Sequence, residues 1–76
     1  MRLKKQKRKK KEMENNIQEL RKKNNITQEE LAEALEVSRQ TINAIENGKY
    51  CPTLKLAFKI AKYFNKKVEE VFIYDE

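Results

Sequence analysis

Arg39, Gln40, Asn43 and Asn47 are multidentate hydrogen-bonding residues at spacings that share one helix face. At about 100° per residue, a helix starting at Arg39 gathers these four within roughly 100° of arc, with Ala44 at its border. Ile42 and Ile45 point to the opposite side. A guanidinium makes two parallel bonds to guanine O6 and N7, and a carboxamide does the same to adenine N6 and N7. An alanine methyl packs against the methyl of thymine. Arg39, Gln40, Asn43 and Ala44 are therefore candidate readers of base edges in double-stranded DNA. A merely solvated helix face has the same periodicity, so the face needs support from what surrounds it. Glu46 also borders this face, where a carboxylate would repel phosphate.

The surroundings supply that support. Leu31, Ala32 and Leu35 put an apolar stripe on a preceding short helix. Thr27 with Glu30 has the form of a capping box that opens this helix. Ser38 is placed to cap the next one, and Gly48 to stop it in a left-handed conformation. Val37 and Ser38 lie between the two helices, which leaves room for only a tight turn. Two short helices joined so closely, the second with a polar outer face, form a helix-turn-helix. The remaining elements are also signalled. Asn16 and Glu19 have capping-box spacing, so a first helix is expected from Ile17 to about Lys23, ended by Asn24 and Asn25. Pro52 and Thr53 open a fourth helix over 54–64, and Asn65 is suited to its left-handed end. Leu54, Leu56, Ala57, Phe58, Ile60, Ala61 and Phe64 cover most of its circumference and predict a central position. Lys55, Lys59, Lys62 and Lys66 form its one basic stripe. A short fifth helix is expected from Val68 to about Phe72, and Phe72-Ile73-Tyr74 suits a short strand.

With these elements placed, residues 16–74 resemble the Cro/CI (XRE-type) family of helix-turn-helix transcriptional regulators. The resemblance rests on Thr27-Gln28-Glu29-Glu30-Leu31-Ala32, Val37-Ser38-Arg39-Gln40-Thr41-Ile42 and Ile45-Glu46-Asn47-Gly48-Lys49. Pro52-Thr53-Leu54 with Ala57, Ile60 and Ala61 adds to it. It implies an all-α, compact five-helix bundle of phage-repressor type, from a prokaryote or phage. The segments near residues 12–14 and 72–74 leave scope for a short two-stranded antiparallel sheet. It implies phosphate contacts from Gln28, Ser38, Thr41, Asn47 and Lys49, with Tyr50 and Lys55 as weaker candidates. Ser38 serves equally as a plain cap, and Lys55 as part of a solvated stripe. The family pairs the glutamate at position 46 with an arginine on the first helix, so an Arg21–Glu46 ion pair is expected. The chain departs from the family at Glu36, where glycine is usual, and at Lys67, where a serine cap is common. A left-handed Glu36 costs roughly 1 kcal/mol relative to glycine.

Composition bounds what else the chain can do. At 76 residues it is one small domain, and such a chain buries only about 60% of its unfolded surface. The formal charge of +6 is unevenly spread. Residues 1–11 hold eight basic residues and no acid, whereas the other 65 hold ten basic and twelve acidic, a net of −2. A basic tail, residues 1–12, is thus set apart from a helix-turn-helix domain, residues 13–76. DNA binding cannot be argued from overall charge, because the excess belongs to the tail. The tail reads as a disordered arm, as an arm lying on DNA, or as an extension upstream of a true start at Met13. It lacks the apolar core of a signal peptide, and no segment approaches the ~18 apolar residues of a membrane span. The expected location is the cytoplasm. One Cys and no His exclude an internal disulfide and a structural zinc, and leave no base to activate Cys51 as a nucleophile. No enzyme activity, cofactor or small-molecule ligand is expected.

The leading reading is a sequence-specific transcriptional regulator, a repressor, that binds a pseudo-palindromic operator as a homodimer. By the family resemblance, the dimer surface involves the fifth helix and C-terminus, with Ile73 and Tyr74 as candidates. These two side chains would otherwise cover their own core. The competing reading is an antitoxin-like protein-interaction module that also binds DNA, although the chain has little spare length for a toxin-binding segment.

Overall fold

The computed structural model describes residues 13–74; the expectations placed on residues 1–12 lie outside them. The element order is β1 (Glu14–Asn15), α1 (Ile17–Lys23), α2 (Gln28–Leu35), α3 (Arg39–Glu46), α4 (Leu54–Tyr63), α5 (Val68–Val71) and β2 (Phe72–Ile73). The chain is mainly helical, with one antiparallel two-stranded sheet in which Glu14 pairs with Ile73 and Asn15 with Phe72. The first strand lies at 14–15, slightly later than expected. The sheet joins the two ends of the described segment.

Each helix start has a local cause. Thr27 Oγ1 accepts from Glu30 N at 3.0 Å, and Glu30 Oε1 accepts from Thr27 N at 2.9 Å, completing the capping box of α2. Ser38 and Thr53 cap α3 and α4 through Thr41 N and Leu56 N. The expected capping box at Asn16 and Glu19 does not form. Asn16 makes no side-chain cap; its amide donates instead to Glu70 O at 3.1 Å and its backbone N–H to Val71 O at 2.8 Å. Asn15 Oδ1 takes over the start of α1 by accepting from Ile17 N at 3.2 Å. Docking of the C-terminal segment has won over a local motif. At α5, Glu70 Oε1 accepts from Lys67 N at 2.8 Å. Only that half of a capping box is available, since an ammonium accepts nothing.

Four helices end alike. Residues Asn25, Glu36, Gly48 and Asn65 have φ between 54° and 72°. In each case the next amide reaches back to a last-turn carbonyl: Ile26 to Arg21, Val37 to Ala32, Lys49 to Ala44 and Lys66 to Ala61. This is the Schellman arrangement. Asn and Gly adopt it easily, whereas Glu36, at φ 59° and ψ 44°, does so against its Cβ. Glu36→Gly is expected to raise stability by roughly 0.5–1 kcal/mol, a shift of several degrees in a thermal melt. An unchanged or lower midpoint would show that the turn carries no such strain.

Ile17, Leu31, Ile42, Ile45, Ile60 and Val71 are fully enclosed at the centre, with Leu35, Leu56, Phe64 and Phe72 around them. One expectation for α4 is corrected. Leu56, Ala57, Ile60 and Ala61 are buried, but Leu54 is 71% and Phe58 55% exposed. These two lie one turn apart and leave an apolar strip on the surface. Apolar residues around most of the helix therefore do not place α4 wholly inside the bundle.

Candidate nucleic-acid interface

The orientation of α3 follows from what lies beneath it. Ile42 and Ile45 are at 0% and 1% exposure in the core, while Arg39, Gln40, Asn43 and Asn47 are exposed. Rolling α3 to bury its polar side would expose both isoleucines, at about 1.5–3 kcal/mol each. Ala44 is half-buried at the edge of the exposed face. Asn15 Nδ2 donates to Ile45 O at 2.8 Å, so the terminal sheet also holds the last turn of α3. Sequence reasoning missed this brace, because the two residues are far apart in the chain.

The N-terminal ends of α2 and α3 open onto a shallow concavity lined by Arg21, Lys22, Thr27, Gln28 and Arg39. Ser38 Oγ accepts from Thr41 N at 3.1 Å and lies 2.9 Å from Thr41 Oγ1. That hydroxyl pair uses one proton internally and keeps one to donate outward. Lys49, Tyr50 and Lys55 are exposed on the following loop and the start of α4. Cys51 is exposed and free. Among the described residues no cluster of His, Cys, Asp and Glu is arranged for a metal, and no helix is long and apolar enough to cross a membrane.

Glu46 is turned away from the exposed face and into the scaffold. Arg21 Nε donates to its Oε2 at 2.6 Å, and Arg21 Nη2 to its Oε1 at 3.1 Å. The side chains are only 11% and 4% exposed, respectively. Arg21 Nη1 donates to Ile26 O at 3.0 Å, which locks the guanidinium against the loop between α1 and α2. The hydrogen bond to Glu46 raises the Arg21 pKa above its already high ordinary value; burial opposes this and is outweighed. The Arg21 guanidinium therefore stays charged as it ties α1 to α3.

Gln28 and Asn43 extend this pair outward. Gln28 Nε2 donates to Glu46 Oε1 at 3.0 Å and to Asn43 Oδ1 at 3.2 Å. Asn47 Nδ2 donates to the same Asn43 Oδ1 at 3.3 Å. The spacing of Asn43, Glu46 and Asn47 signals a common side of α3. The link to Gln28 depends on how closely α2 and α3 approach, which no local pattern reveals.

A family profile described as helix-turn-helix matches residues 17–71. An uncharacterised HTH-type transcriptional regulator of Methanocaldococcus jannaschii is 59% identical over 64 residues, covering 84% of this chain and 97% of the relative. An uncharacterised HTH-type transcriptional regulator of Bacillus subtilis is 48% identical over 64 residues, with the same coverage of both. Among solved structures, a protein of Bacteroides fragilis classed as a candidate DNA-binding protein superposes with a TM-score of 0.71 at 27% identity. That likeness covers 79% of this chain and 97% of the other. The chain belongs to the XRE-type helix-turn-helix family of DNA-binding transcriptional regulators. The family is one of DNA-binding proteins rather than enzymes.

Proposed function

We propose that this chain is a repressor that reads a pseudo-palindromic operator by placing α3 in the major groove. The observation that carries the reading is the two-sided character of α3: Ile42 and Ile45 lie in the core beneath an exposed Arg39, Gln40 and Asn43. Arg39, Gln40, Asn43 and Ala44 read base edges. Ser38, Thr41, Asn47 and Lys49 contact the sugar-phosphate backbone and set the register. Both Gln28 Nε2 protons are engaged internally, so position 28 meets phosphate through the first-turn backbone amides of α2. Titration of isotope-labelled protein with duplex DNA tests the placement. The amides of residues 28–30 and 38–49 should show the largest shifts. Shifts concentrated on α4 and α5 instead would contradict it.

One such unit spans few base pairs, and two-fold symmetric half-sites lie about one helical turn, roughly 34–36 Å, apart. A homodimer supplies the second unit. Ile73 at the end of β2 and Tyr74 just after it are 41% and 78% exposed, and the Leu54–Phe58 strip adds further uncovered apolar surface. Sedimentation equilibrium at micromolar concentration should give the mass of two chains, and Ile73→Asp with Tyr74→Ser should give one. A parent protein that sediments as a single chain would contradict the dimer.

A further inference from the structure

We infer that Asn43 reads DNA as a hydrogen-bond donor, and that Gln28 is the positioning residue that makes it one. This inference rests on the reading of α3 as the base-contacting helix. Its starting point is Glu46, whose carboxylate accepts hydrogen bonds and donates none. The group 3.0 Å from Glu46 Oε1 is therefore the Gln28 Nε2 amine and not its carbonyl. The second Nε2 proton then points to Asn43 at 3.2 Å, and only the Asn43 carbonyl can receive it. Asn47 Nδ2, at 3.3 Å, donates to that same oxygen. Polarity is thus passed from the Arg21–Glu46 pair through Gln28 to the exposed face of α3. Asn43 Oδ1 is spent on two internal donors, and its Nδ2 protons remain for the ligand.

This changes what Asn43 recognises. A free carboxamide pairs with adenine by donating to N7 and accepting from N6. With Oδ1 occupied, the N6 amine of adenine meets no acceptor. Guanine presents two acceptors side by side, N7 and O6, and suits a group that only donates. The expected base opposite Asn43 is therefore guanine, although the residue type alone suggests adenine. An unsatisfied amine in a desolvated contact is a stronger penalty than a missing bond, so the discrimination is real rather than marginal.

The test is selection of bound sequences from random duplex DNA by the full chain and by two variants. Asn43→Ala identifies the base pair concerned as the one whose preference disappears. At that position the parent should favour guanine over adenine by about tenfold, within the range of one two-bond contact. Gln28→Met keeps the volume and leaves Asn43 Oδ1 with only the exposed Asn47 amide, which no carboxylate orients, so the two amides can turn together. It should narrow that preference or turn it toward adenine, while the preferences set by Arg39 and Gln40 persist. Adenine favoured by the parent would overturn the inference. So would an unchanged guanine preference in Gln28→Met, or an Asn43→Ala variant that keeps every preference. A parent that enriches no motif defeats the DNA-reading assignment itself, whereas the other results defeat only the role of Asn43 and Gln28. In the free protein, both Gln28 Nε2 protons should exchange with water more slowly than the Asn43 Nδ2 protons. The reverse order would count against the arrangement without any DNA present.

Discussion

Arg21→Met is expected to destabilise the free protein by about 3–5 kcal/mol, the cost of leaving a buried charge without its partner. Glu46 is the more enclosed member of the pair, at 4% side-chain exposure. Without Arg21 it keeps the Gln28 amide and loses both guanidinium bonds. Small domains shift by about 4–8 °C per kcal/mol, so the loss is a large part of the melting range. Glu46→Gln should cost less. A glutamine oxygen still accepts from Arg21, and the guanidinium retains Ile26 O and an edge near solvent. The double variant Arg21→Met, Glu46→Leu removes both charges and fills the same space. It should be clearly more stable than Arg21→Met alone, since replacing a buried pair by apolar groups is often neutral or favourable. Urea denaturation of the three variants beside the parent checks this. A parent-like midpoint for Arg21→Met would mean that the pair is screened by water and contributes little. If the double variant recovers stability but loses base discrimination at Asn43, the pair serves orientation more than stability.

Arg39→Ala and Gln40→Ala are expected to act on recognition and hardly at all on folding. Both side chains are exposed, so each change should alter stability by no more than about 0.5 kcal/mol. Each should remove roughly 1–3 kcal/mol of discrimination at one base pair, a loss of about five- to more than a hundredfold in preference there. Lys49→Ala offers the contrast. A phosphate contact carries no sequence information, so binding should weaken on all sequences alike. The slope of log affinity against log salt should fall by about 0.9 for the one phosphate released. Affinities for a selected site and its single-base variants, measured at one salt concentration, separate the two kinds of contact. Uniform weakening by Arg39→Ala would reassign that residue to the backbone.

Much of the fold was legible because its signals are local. Thr27, Ser38 and Thr53 cap the helices they precede, and Gly48 and Asn65 end theirs in left-handed turns, whereas Glu36 was marked only by the family resemblance. Ile42 and Ile45 set the face of α3 by spacing alone. Local signals failed where a tertiary contact competed for the same atoms. Asn16 has capping-box spacing, yet the carbonyls of Glu70 and Val71 claim its amides. The exposure of Leu54 and Phe58 was also not legible. Periodicity shows which residues of α4 are apolar, but burial depends on what packs against each side. At the site, the residues of the exposed face were readable from the sequence, whereas the direction of the Asn43 amide was not. That direction follows from the close approach of Gln28 on one helix to Glu46 and Asn43 on another.

On the proposed reading, α3 recognises sequence through a few outward side chains. Selection from random duplex DNA decides whether it does, with the parent protein beside Arg39→Ala and Gln40→Ala. An enriched motif with two-fold symmetry is expected for the parent, and loss of preference at distinct positions in each variant. Binding that enriches no motif, or a motif unchanged in both variants, would contradict it.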